Sequence, residues 1–182
     1  MNEKKLLRSN LDEIKGIKKF TIENISIINE LIQNKIVCTY IPTNNEVNIN
    51  NDISGYKQLI TTYLVSEAEL ADYSPYLVSS EIELCLYKEP FIKNALNILE
   101  PENPIKISEV DVFLVPGMAF TTSGKRLGRG GGYYDKLLSI YPDTLKIGFT
   151  FNERIIEDIP TESHDISMDY VFTNDKYYKS EI

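Results

Sequence analysis

Apolar positions first follow a helical period and then gather into short continuous runs. Leu6, Leu7, Leu11, Ile14 and Ile17 recur at helical spacing. Ile22, Ile25, Ile28, Leu31 and Ile32 do so again behind Thr21, whose hydroxyl suits an N-cap. Two N-terminal helices are predicted. The period then shortens: residues 35–41 form a β-branched run closed by Pro42 and an Asn-rich turn carrying Glu46, the pattern of a strand. Residues 53–60 predict a short helix and 61–65 a strand. Positions 81–87 alternate polar with apolar, as a half-exposed strand near a sheet edge does, and Pro90, Pro101 and Pro104 mark a loop-rich passage. Residues 110–115 and 145–151 are almost wholly apolar, as strands covered on both faces are, and 169–173 predict one more strand.

Strands separated by helical segments imply an α/β fold, with a three-layer, largely parallel sheet flanked by helices in a Rossmann-like single domain. No internal repeat or low-complexity linker divides the chain, so one domain over 1–182 is expected, with two N-terminal helices ahead of the sheet. A domain of this length buries roughly 70% of its unfolded surface. Its two cysteines, Cys38 and Cys85, sit alone in apolar runs and read as buried thiols suited to a reducing compartment. No export signal and no bilayer-length apolar run is read, which points to a cytoplasmic protein with no membrane partner. A net charge of −8 argues against broad nucleic-acid binding.

The basic residues concentrate locally instead. After the apolar strand come Pro116-Gly117-Met118 and then the loop 124–135, with Lys125, Arg126 and Arg129 beside Gly128, Gly130, Gly131 and Gly132, and an exit through Tyr133-Tyr134-Asp135. Glycines let backbone N–H groups close around an anion, and the apolar positions Leu137, Leu138 and Ile140 predict a helix whose N-terminus faces the same anion. The segment fits neither the Walker loop nor the Rossmann fingerprint. It reads as a polyphosphate loop in the order strand, loop, helix. Glu46 and the acidic 162–165 segment fall near the ends of strands where ligands bind in such sheets.

Residues 111–138 resemble the central pattern of the 5-formyltetrahydrofolate cyclo-ligase family: Asp, apolar strand, Pro-Gly, Phe, then Gly-x-Arg-Leu-Gly-x-Gly-x-Gly-Tyr-Tyr-Asp. Supporting similarities are residues 4–8, the strand leading to Glu46, 98–101, 146–149, Pro160 to Glu162, His164-Asp165 and Asp169. The resemblance implies conversion of 5-formyltetrahydrofolate to 5,10-methenyltetrahydrofolate with ATP and Mg²⁺, through a phosphorylated formyl group. It implies nucleotide contacts from Lys4, Lys5, Arg8, Arg126, Leu127, Gly128, Arg129, Gly130, Gly131, Gly132, Tyr133 and Tyr134. Ile41 and Glu46 would face the reduced folate together with Arg129, Gly130, Gly131, Gly132 and Tyr133. Arg129, Lys125 and Tyr133 form the catalytic set, with Arg129 as the main charge stabiliser. Asp135 and Asp165 would be the magnesium carboxylates, although either alone also reads as a cap or turn residue. A monomer or weak homodimer is expected.

His164, the sole histidine, reads as structural. The chain departs from the family pattern in lacking a proline within 60–64, in carrying Thr121 where Asp is usual, and in an acidic 66–80 segment. These changes are expected nearer the folate side than the phosphate loop. Two other readings stay open: a non-catalytic folate- or nucleotide-binding relative, and a small-molecule kinase using the same loop.

Overall fold

Residues 3–11, 19–65, 82–95 and 97–181 are described by the computed structural model. The first two helices are α1 (Glu3–Ser9) and α2 (Ile22–Ile32). Thr21 caps α2 as expected, its Oγ1 accepting from the Asn24 amide at 3.2 Å. Ile14 and Ile17, and the acidic 66–80 segment, lie outside the described residues.

The strands are β1 (Ile36–Cys38), β2 (Gln58–Leu64), β3 (Ile82–Leu86), β4 (Phe91–Lys93), β5 (Leu99–Pro101), β6 (Val112–Pro116), β7 (Ala119–Phe120), β8 (Arg126–Leu127), β9 (Leu145–Phe149), β10 (Tyr170–Phe172) and β11 (Tyr177–Lys179); the helix α3 (Tyr133–Ile140) lies between β8 and β9. Seven of them form one sheet in the order β11-β10-β9-β6-β1-β2-β3. The five inner strands are parallel, and β11 and β3 pair antiparallel at the edges. The order runs outward from β1 in both directions, to β2 on one side and β6 on the other. A crevice therefore opens beyond their carboxyl ends, the switch point at which such sheets bind ligands.

Alternation along β6 explains the layers. Val112 and Leu114 pack with Ile28 and Ile32 of α2, whereas Phe113 and Val115 pack with Leu137 and Leu138 of α3. Each face of the sheet thus receives a helix, and the all-apolar strands are the ones covered on both sides.

Two expectations need correction, and one, the edge position of the 81–87 strand, is borne out. Residues 53–60 are not a helix: Gly55 has φ +81°, Ile53 is buried with the α2 cluster, and the Lys57 amide already donates to the Lys35 carbonyl at 2.8 Å, which starts β2 beside β1. The β-branched Ile60-Thr61-Thr62 stretch then continues the strand through Leu64. β3 is an edge strand, yet its outer side is covered, because the Leu86 amide donates to Ile105 and the Ile107 amide to the Leu84 carbonyl. The run from strand to loop is also interrupted by the β7–β8 hairpin. Thr121 lies in its turn, buried, where its Oγ1 accepts from the Lys125 amide at 3.1 Å.

Candidate active site

A cleft of about 980 Å³ opens at the switch point. That is at the upper end of the roughly 300–1,000 Å³ typical of small-molecule sites. Its floor is the carboxyl ends of β1 and β6, with Tyr40, Ile41, Pro116 and Gly117. One wall carries the 42–46 turn, the end of β2 and the β4–β5 hairpin. The other carries the glycine loop, the start of α3, Lys4 and Arg8 of α1, and the 162–165 segment.

The glycine loop is built for an anion. Gly130 has φ +103° and Gly132, at the N-cap of α3, has φ +69°. Side chains rarely adopt either conformation. Gly131 is required for a different reason: a Cβ there would stand 2.5 Å from the Tyr133 ring. Among the described residues none accepts from the amides of 128–132, and α3 begins directly after them, so unpaired N–H groups and a helix N-terminus converge on one side of the cleft.

Three cation–carboxylate pairs line the cleft, and the first of them ties its two walls together. Arg129 donates to Thr43 Oγ1 at 2.7 Å and to Glu46 Oε1 at 3.0 Å, crossing from the loop to the β1 turn. Glu46 is oriented by Thr43, whose amide and hydroxyl both donate to Oε2, at 2.9 and 3.0 Å. Arg126 donates to Asp135 Oδ2 at 2.8 Å, and the other oxygen of Asp135 accepts from the Ile166 amide at 3.3 Å. Lys4 Nζ lies 2.5 Å from Asp165 Oδ2 and 3.5 Å from Glu162 Oε1. Burial pushes the Asp165 carboxyl up, but the Lys4 ammonium and the Glu162 amide outweigh it and hold the group below the ordinary aspartate value. Arg8 completes the docking of α1, donating from Nε to the Gly128 carbonyl at 2.7 Å.

Most residues singled out from the sequence therefore meet in this cleft: Lys4, Arg8, Ile41, Glu46, Arg126, the whole stretch 128–135, and Asp165. Lys125, Lys5 and Leu127 do not line it. Lys125 points from the β7–β8 turn to Asp158 at 2.6 Å, and Lys5 is exposed on α1. Leu127 is fully buried with Ala119 and Ile159, where it receives Leu7 and Leu11. Thr121 also lies away from the cleft wall, unlike the proline-free 61–64 stretch, which forms part of it. His164 is exposed at the rim.

Sequence reasoning missed Thr43 and the β4–β5 hairpin. Asn94, Ile98 and Leu99 line the cleft there, and Glu100 anchors the hairpin by accepting from the Leu64 amide at 2.7 Å and from Asn94 at 2.8 Å. The local signals there were the prolines, which suggested a loop, and the similarity of 98–101 to the family pattern, which named no strand.

A divalent metal fits this donor set. Asp135 and Asp165 share the cleft and are linked through Ile166, each balanced by a cation, and no cluster of three or more metal-binding side chains occurs among the described residues. Two carboxylates with the remaining positions left to waters and phosphate oxygens match what Mg²⁺ prefers. Among the described residues no helix is long and apolar enough to cross a membrane.

Comparison with known proteins agrees with this architecture. The chain is 30% identical over 167 residues to the mitochondrial 5-formyltetrahydrofolate cyclo-ligase of Arabidopsis thaliana, covering 76% of this chain and 59% of that protein. It is 34% identical over 113 residues to the Saccharomyces cerevisiae 5-formyltetrahydrofolate cyclo-ligase, covering 57% and 54%. The matched stretches thus span less than two thirds of these relatives. The NMR structure of Aquifex aeolicus 5,10-methenyltetrahydrofolate synthetase superposes with a TM-score of 0.63 at 25% identity, covering 97% of this chain and 82% of that one. The model of the 5-formyltetrahydrofolate cyclo-ligase family matches residues 2–174, and the chain belongs to that family.

Proposed function

We propose that the protein converts 5-formyltetrahydrofolate to 5,10-methenyltetrahydrofolate, with ATP converted to ADP and phosphate. The observation that carries this reading is the meeting, in one cleft, of a phosphate-type glycine loop and an acidic turn, bridged by Arg129 and Glu46. Family membership and the relatives' names support the folate substrate.

The chemistry needs both walls. The formyl oxygen of an amide is a poor leaving group, so closure by the position-10 nitrogen is slow until that oxygen is made a phosphate ester. In the proposed reaction the formyl oxygen attacks the γ-phosphorus and ADP leaves. The position-10 nitrogen then attacks the formyl carbon, gives up its proton, and phosphate departs with the former formyl oxygen. The chain's contribution is positioning and charge stabilisation. The amides of 128–132 and the N-terminus of α3 cradle phosphate oxygens, with Arg8 approaching from α1. Arg129 turns from Glu46 to the transferring group and offsets its negative charge. Glu46, released from that ion pair but still held by Thr43, accepts hydrogen bonds from pterin N–H groups, and Tyr133 offers its ring to the flat pterin. Asp135 and Asp165 would hold Mg²⁺, which when bound offsets triphosphate charge. Lys125, facing Asp158 outside the cleft, has no part in this scheme.

The test is the absorbance of the methenyl product on mixing protein with 5-formyltetrahydrofolate, Mg²⁺ and ATP. An ATP-dependent rise is expected. Binding of both ligands without turnover would leave a non-catalytic relative, and a phosphorylated product without the chromophore would leave a kinase.

A further inference from the structure

Five lysine and arginine side chains line the cleft, Lys4, Arg8, Lys93, Arg126 and Arg129, and four of them are already engaged. Lys4 pairs with Asp165, Arg126 with Asp135 and Arg129 with Glu46, while Arg8 donates to the Gly128 carbonyl. Lys93, on β4, differs: it is exposed, and its side chain pairs with no carboxylate among the described residues. The acidic residue of the same hairpin does not neutralise it. Glu100 stands opposite Ile92 in the ladder, so Lys93 and its own partner Leu99 occupy the other face of the hairpin. Glu100 Oε2 already accepts from the Leu64 amide at 2.7 Å and from Asn94 at 2.8 Å. Asn94 Oδ1 in turn accepts from the Ile98 amide at 3.1 Å across a turn in which Asn97 has φ +59°. A cation with an exposed leucine beside it thus stands on a braced hairpin.

Topology puts this hairpin on the side of β1 away from the phosphate loop. In the sheet order β6-β1-β2 the glycine loop comes after β6, the Glu46 turn after β1, and Glu100 ties the hairpin to the end of β2. The reduced folate is elongated. With its formyl group against the glycine loop and its pterin against Glu46, its aminobenzoyl arm runs along the cleft toward β2 and the hairpin, and that arm ends in two carboxylates. We infer that Lys93 is a substrate-binding residue whose ammonium pairs with the glutamate carboxylates of the folate, while Ile98 and Leu99 receive the aminobenzoyl ring. The inference rests on the proposed function, which sets the direction of the substrate. A chain of net charge −8 repels an anionic tail over much of its surface, so one cation at this end of the cleft favours a single orientation of the substrate. The bracing by Glu100 and Asn94 lowers the cost of ordering the hairpin when the substrate binds.

The experiment compares two substrates in the full chain: 5-formyltetrahydrofolate, and 5-formyltetrahydropteroate, which lacks the glutamate. Lys93→Met removes the charge and keeps an apolar stem. It is expected to raise KM for 5-formyltetrahydrofolate by about 2- to 5-fold, the scale of an exposed ion pair, with kcat and the KM for ATP unchanged. The pteroate compound is expected to show the same KM with the wild-type protein and with the variant. Lys93→Arg should restore the wild-type KM, and the difference between wild type and Lys93→Met should shrink as salt is raised. An unchanged KM for 5-formyltetrahydrofolate, or an equal rise for the pteroate compound, would overturn the inference and leave the proposed function standing. No methenyl product from the wild-type protein with either substrate would overturn the proposed function and this inference with it.

Discussion

Arg129 and Glu46 neutralise each other across the cleft, and the proposed reaction needs both for other partners. The pair is half open to solvent on the Arg129 side, so it restrains the arginine weakly. Arg129→Ala should therefore leave the fold intact while lowering kcat by about 10²- to 10³-fold, the scale of losing a charge-stabilising donor. Steady-state kinetics with circular dichroism checks both halves, and an unimpaired enzyme would remove the assigned role. Gly131→Ala should disturb the same site sterically, because its Cβ must displace the Tyr133 ring; a raised KM for the folate with unchanged secondary structure is the expected sign. At this scale the sequence marked the loop well, since glycines and arginines reveal their chemistry by type. It was silent on Thr43, an ordinary threonine whose hydroxyl serves Glu46 and Arg129 only once the chain has folded.

The helix α1 contributes no fully buried residue, yet it delivers Lys4 and Arg8 to the cleft. It docks through Leu7 on the Ala119, Leu127 and Ile159 cluster, through Arg8 on Gly128 and through Lys4 on Asp165. The Asp165 carboxyl titrates below its ordinary value of 3.8, so the docked form gains stability wherever the unfolded carboxyl is already ionised. That gain is present above the unfolded value and is lost as pH falls through the lower, folded one. Hydrogen exchange along α1 should accordingly speed up on acidification through this window. In Asp165→Asn, exchange should already be faster at neutral pH and should lack this response. For α2, Thr21→Ala should cost about 1 kcal/mol in denaturant unfolding, the usual worth of an N-cap. The helix α2 was legible from the period of Ile and Leu; α1 was so only in part, because it ends at Ser9, before Leu11. The supposed helix at 53–60 failed because its apolar spacing is ambiguous over so few residues, and pairing with β1 decided for a strand.

The whole molecule brings its site together by topology. β1 and β6 lie side by side although Asp111 follows Ile36 by 75 positions; its carboxylate nevertheless accepts from the Ile36 amide at 2.7 Å and its amide donates back to the Ile36 carbonyl. Their carboxyl ends place the Glu46 turn beside the glycine loop. The parallel sheet was legible because doubly covered strands are almost wholly apolar, and strand order then follows from connections that lie on both sides of β1. The hairpin β4–β5 was not, because its strands are only three residues long, Pro90 precedes one and Pro101 ends the other, and they pair with each other outside the main sheet. The central claim at this scale is that the cleft transfers phosphate to the formyl oxygen before ring closure. The most direct measurement uses 5-formyltetrahydrofolate carrying ¹⁸O in the formyl group, with ATP and Mg²⁺, following the methenyl absorbance and the mass of the released phosphate together. The account predicts methenyl product and phosphate that carries the label; methenyl product accompanied by unlabelled phosphate, or no methenyl product at all, would contradict it.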